Sequence, residues 1–157
     1  MIHNSSFMLH QKISEDLKRS MKAGDALRTS TLRMLLAAVQ NKEISLTKKD
    51  TGLSEEEFLQ VIRSEVKKRK EAAVEFEKGG RAESAEKEKK EAEILEAYLP
   101  AEMTDEEIDT LVQKIVTEQG ATSAKEFGAV MKAVMAQTSG RAEGNRVAEA
   151  VKRVLRG

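Results

Sequence analysis

Cations crowd the last third of this chain. Lys125, Lys132, Arg141, Arg146, Lys152, Arg153 and Arg156 face only Glu126, Glu143 and Glu149. Ammonium and guanidinium groups can neutralise phosphate, and a helix start without bulky side chains adds backbone N–H donors to the same task. Arg141, Gly144, Asn145 and Arg146 fall in the turn Ser139-Gly-Arg-Ala-Glu-Gly-Asn145, while Lys125, Lys132, Lys152 and Arg153 lie on the helical patterns that flank it. These eight residues are the candidate nucleic-acid contacts. Contacts of this kind position RNA without reading its sequence, and binding through them falls steeply with salt.

Other chemistries find less support. The chain has no cysteine, so disulfides, iron–sulfur clusters and thiolate zinc sites are excluded. His3 and His10 lie near the N-terminus, and the carboxylate runs at 55–57 and 105–107 sit in first helical turns, where capping and the helix dipole account for them. No metal and no cofactor is expected. No serine or threonine is set beside a base that a third group would orient, so no catalytic residue is proposed. An aromatic content of 3% argues against a base-stacking platform. Lys67-Lys68-Arg69-Lys70 reads as a solvated helix surface with ion pairs, because four successive helical residues point in four directions. Gly79-Gly80-Arg81 lacks the strand and the Gly-Lys-Ser/Thr ending of a phosphate loop and reads as a helix turn.

The elements that would position these residues are all helices. A hydrophobic fraction of 39%, a charged fraction of 34% and a single proline, Pro100, favour an all-α fold with narrow apolar stripes. Leu9, Ile13, Leu17 and Met21 recur every four residues up to a stop at Gly24, with the first six residues frayed. Asp25 caps a run over 26–44 that is apolar nearly all round and is expected to be the central helix of the N-terminal half, with the heads of Arg28 and Arg33 reaching water or an acidic neighbour. After a loop, a capping box at Ser54 opens a helix that ends at Gly79-Gly80, and a charged helix to Tyr98 is expected to return antiparallel along it. Pro100 marks the boundary between domains at 1–99 and 100–157. Beyond it, boxes at Thr104 and Ser123 and a stop at Gly120 predict a three-helix unit. Gly128 inside the middle helix predicts close packing there.

Lysine plus arginine (27) equals aspartate plus glutamate (27), so global charge names no polyanionic partner. With no cysteine, no basic-then-apolar leader and no long apolar run, the chain reads as soluble and cytoplasmic, with no membrane partner.

Several stretches together resemble the YqeY family from about Leu9 onward: Leu32-Arg-Met-Leu-Leu-Ala-Ala-Val-Gln-Asn-Lys-Glu-Ile44, Lys68-Arg-Lys-Glu-Ala, Glu75-Phe-Glu-Lys-Gly-Gly-Arg81, Leu95-Glu-Ala-Tyr-Leu-Pro100, Phe127-Gly-Ala-Val-Met131 and Gly140-Arg-Ala-Glu-Gly-Asn145. The family usually has Asp where Glu143 stands and Lys where Asn145 stands, and the second change removes a charge from the turn. The resemblance implies an N-terminal domain of about four helices. It also implies a three-helix C-terminal domain similar to the tail of GatB, the B subunit of the glutamine-dependent aspartyl/glutamyl-tRNA amidotransferase. In that enzyme the tail helps recognise tRNA, and a separate part that binds magnesium and ATP performs the chemistry. The implied function is an accessory protein that binds tRNA, or an aminoacyl-tRNA-processing enzyme carrying it, through the C-terminal helices. The alternatives are participation in carbon–nitrogen ligase activity with glutamine as amido-N-donor, or a protein-interaction module that presents Met103, Met131 or Met135.

Overall fold

The computed structural model describes residues 5–138 and 140–156. Among them are seven α-helices and no strand: α1 (Ser5–Ala23), α2 (Ala26–Ser45), α3 (Glu55–Lys78), α4 (Ala82–Glu96), α5 (Asp105–Gln119), α6 (Phe127–Thr138) and α7 (Gly144–Arg156). They form two compact units, Met1–Leu99 and Pro100–Gly157.

In the first unit α1 to α4 enclose Ile13, Leu32, Leu35, Val39, Phe58, Ile62 and Leu95. Gly24 ends α1 with φ 71°, a left-handed conformation that a side chain would strain. The Asp25 carboxylate then accepts from the Arg28 backbone N–H to start α2. Ser6, expected in a frayed end, is buried in α1 and donates its hydroxyl to the Leu53 carbonyl at 2.6 Å. The rest of that expectation, and His3, fall on residues 1–4, outside the described residues. His10 lies on α1 with its ring edge-on to Phe58.

α2 touches α1, α3 and α4 but is not enclosed. It buries one stripe, Thr31, Leu32, Leu35 and Val39, while Met34 and Ile44 are more than half exposed. The helix expected to be central thus touches the other three, but three helices in so small a unit cover only one side of it, so its second apolar face is left exposed. Arg28 and Arg33 do reach outward, to Asp25 and to the Met21 sulfur.

The loop after α2 is pinned to the start of α3. Lys48 donates to both Glu57 carboxylate oxygens at 2.7 and 2.9 Å, and Glu57 also closes the Ser54 capping box. The Lys48 ammonium and the Ser54 N–H hold the Glu57 pKa down to about 2. α3 and α4 pack antiparallel across the Gly79-Gly80 turn, joined by Lys70–Glu96 at 2.5 Å and by a Lys89–Glu77 pair.

One residue of the basic run departs from its expected place. Lys67 and Lys68 pair with Glu71 and Glu65 at the surface, but the Arg69 side chain is only 5% exposed. It lies between Glu65 at 3.1 Å and Glu91 of α4 at 3.3 Å. Position 69 shares a helix face with Ile62, Val66 and Ala73, so the period of α3 carries it inward.

The second unit packs α5, α6 and α7 around Met103, Ile108, Val112, Ile115, Val130, Val134, Val147 and Val151. The Thr104 box opens α5, and Gly120 closes it at φ 64°. The Ser123 box is formed as expected but opens a 3-10 turn, Ala124–Glu126, with α6 beginning only at Phe127. Met103 is buried, and Met131 and Met135 pack against this core and stay partly exposed. Gly128 is exposed, and a Cβ there would meet nothing within 4 Å. The close packing expected at that glycine is absent.

Two outcomes follow for urea unfolding. Gly128→Ala should raise stability by roughly 0.5–1 kcal/mol, since open space leaves only the backbone-entropy gain. Arg69→Ala should lower it by about 3–5 kcal/mol, because two buried carboxylates lose their common partner.

Candidate nucleic-acid interface

The eight candidate residues divide by what they touch. Arg141 follows the turn after α6, where Gly140 takes φ 78°. Its Nε donates to the Ala101 carbonyl at 2.9 Å, and its guanidinium lies 3.9 Å from Glu107. Its own carbonyl accepts from the Met103 N–H at 2.8 Å. Arg146, on the first turn of α7, donates to the Met103 carbonyl at 2.9 Å and to Asp105 at 2.7 Å, with Glu102 at 3.8 Å. Two turns further along, Arg153 pairs with Asp109 of α5 at 2.7 Å. The three arginines therefore tie α7 and its preceding turn to the acidic start of α5 and to the segment before it.

This arrangement shifts the ionisable groups in matching directions. The Arg146 guanidinium holds the Asp105 carboxyl below its ordinary value, and Asp105 in turn raises Arg146. Glu126 is lowered as well, by the backbone N–H groups of Ser123 and Thr122 that its carboxylate accepts.

The lysines behave differently. Among the described residues, Lys125 and Lys132 have no acidic group within 4.0 Å, and the same is true of Arg156. Lys152 lies over the Phe127 ring, 6.0 Å from its centroid. That contact brings the second half of α7 to the start of α6. Lys125, two residues before Phe127, and Lys132, in the middle of α6, are also exposed, and Gly128 between them has open space around it. Gly144 begins α7 with open space around it, and the Asn145 side-chain oxygen accepts from the Arg146 N–H at 2.8 Å.

The partners of the arginines were not foreseen. A signal was present in the sequence: residues 100–157 hold eight lysines and arginines but nine aspartates and glutamates. Five of those acids lie at 102–109, so the positive excess of 124–156 has a counter-charge available within its own unit. Among the described residues no group of three or more histidines and carboxylates could hold a metal ion, and no helix is long and apolar enough to cross a membrane.

Comparison with known proteins adds a lineage. The family pattern described as Yqey-like protein matches residues 10–155. The chain is similar to proteins named "Altered inheritance of mitochondria protein 41, mitochondrial". That of Kluyveromyces lactis is 38% identical over 109 residues, 68% of this chain and 57% of the relative. That of Lachancea thermotolerans is 37% identical over the same shares, and that of Clavispora lusitaniae is 34% identical over 131 residues, 80% of this chain and 74% of the relative. The chain thus spans little more than half the length of the first two. These relatives, named as mitochondrial, overturn the cytoplasmic placement. The absence of cysteine excludes disulfides but does not name the compartment.

The Arg146–Asp105 pair has a measurable signature. Asp105 binds its proton less readily folded than unfolded, so the pair's stabilisation is complete above the ordinary aspartate value of 3.8 and fades as pH falls through the lower folded value. Arg146→Ala should return the Asp105 pKa, followed by NMR, toward 3.8, and should lower the thermal midpoint at pH 7 more than at acid pH.

Proposed function

Because the chain belongs to the YqeY-like family, we propose that it is an accessory protein that binds tRNA, alone or on an aminoacyl-tRNA-processing enzyme, through Pro100–Gly157 acting as a domain similar to the GatB tail. The observation that carries this reading is the division among the cations. Arg141, Arg146 and Arg153 hold the unit together, which leaves Lys125, Lys132 and Lys152, all exposed, to meet phosphate. Arg141, Gly144, Asn145 and Arg146 then act at the edge of the interface, where a phosphate would compete with Asp105 and Glu107 for the guanidinium groups. In this reading amide transfer stays with the partner enzyme, and the chain supplies affinity for RNA.

The test is a filter-binding titration of unfractionated tRNA at several salt concentrations. Affinity should fall linearly on a log–log plot, and a Lys125→Ala/Lys132→Ala/Lys152→Ala variant should reduce the slope by roughly 2–3. Arg141→Ala should instead lower the unfolding midpoint and leave most of the slope. Absence of binding at low salt, or a slope unchanged in the triple variant, sinks the proposal.

A further inference from the structure

A groove of about 490 Å³ lies between α2 and α3 in the first unit, within the size range of small-molecule sites. Asn41, Lys42 and Ser45 line it from α2, and Gln60, Ser64 and Lys68 from α3. Its apolar lining is Ala38 and Val61, and no lining residue is aromatic. Two of the stretches noted in the sequence, 32–44 and 68–72, contribute to the facing walls.

The remaining lining residue, Glu65, is buried and already engaged. One of its oxygens accepts from Arg69 at 3.1 Å and the other from Lys68 at 3.2 Å. Arg69 is itself held by Glu91 at 3.3 Å. A line of alternating charges thus runs from the interior of the α3–α4 pair to the groove and ends on the Lys68 ammonium. Glu91, Arg69, Glu65 and Lys68 balance one another, so Lys42 is the uncompensated charge of the groove, which also presents the outer Lys68 ammonium, two carboxamides and two hydroxyls. Among the described residues, the side chains of Asn41, Lys42, Ser45, Gln60 and Ser64 have no protein partner. Ammonium groups on opposite walls suit a phosphate, and carboxamides and hydroxyls, which both donate and accept, suit a hydroxylated body. The lack of an aromatic face offers nothing for a base to stack on.

We propose that the α2–α3 groove binds a ribose-phosphate unit, with Lys42 and Lys68 on the phosphate and Asn41, Gln60 and Ser64 on the sugar hydroxyls. The unit comes either as a free sugar phosphate or as part of an RNA strand. This site is independent of the tRNA reading of the second unit, whose lysines lie on other elements.

The experiment is an amide-resolved NMR titration of the full chain with ribose 5-phosphate, ribose, a uridine hexanucleotide and a thymidine hexanucleotide. Ribose 5-phosphate should shift the Asn41, Ser64 and Lys68 signals saturably, and ribose should not. Lys42→Ala and Lys68→Ala should each weaken binding about tenfold, Lys42→Ala without moving the unfolding midpoint and Lys68→Ala with a small drop in it, since buried Glu65 loses one partner but keeps Arg69. Tighter binding of the uridine hexanucleotide at the same signals identifies RNA as the source, and weaker binding identifies the free sugar phosphate. Equal binding of the thymidine hexanucleotide overturns the ribose assignment. No saturable shift with ribose 5-phosphate or the uridine hexanucleotide at millimolar concentration, or shifts untouched by Lys68→Ala, overturns the site.

Discussion

A helix with a narrow apolar stripe has few residues to turn inward, and any charged side chain that its period carries into a seam must meet a counter-charge there. Arg69 is such a residue. The face of α3 that buries Ile62 and Val66 also buries Arg69, and Glu65 and Glu91 meet it from the same helix and from α4. The second unit uses the same device nearer the surface, where Arg146 reaches both Asp105 and the Met103 carbonyl. Apolar packing explains why helices associate in each unit. The arginines explain which register they keep, since a slip of one turn would strand a guanidinium without its acid.

This dual use of arginine governs how the candidate interface is read. Counted along the chain, residues 124–156 are basic, but in space their arginines lie against the acidic start of α5. Exposed single pairs of this kind contribute little to stability on their own. Here they act beside backbone contacts, Arg141 to Ala101 and Met103 to Arg141, and that combination holds the segment before Thr104 against the turn before α7. The ammonium groups of Lys125, Lys132 and Lys152 face no comparable demand.

Features set by neighbours in sequence were legible before the structure. The stops at Gly24 and Gly120 and the capping boxes at Ser54 and Thr104 each need only three or four adjacent residues, and each is formed. The all-helical class followed from composition for the same reason. Features set across the fold were not legible. The inward turn of Arg69 depends on a second carboxylate 22 positions away, on α4, and the partners of Arg141, Arg146 and Arg153 lie 34 to 44 residues off. Gly128 misled in the opposite direction: a glycine in a helix suggests a tight contact, but this one faces open space at the first turn of α6. The family was readable because several short stretches match its pattern in order and spacing, whereas the compartment was read from cysteine usage, which does not name it.

The line from Glu91 through Arg69 and Glu65 to Lys68 also constrains how sequences of this kind can diverge. Replacing Arg69 alone leaves two buried carboxylates facing each other across α3 and α4, whereas replacing all three core members by apolar residues of similar volume removes the conflict. Positions 65, 69 and 91 can therefore be exchanged together, but not singly, without leaving an unpaired buried charge. Lys68, on the exposed end of the line, is not bound by that constraint.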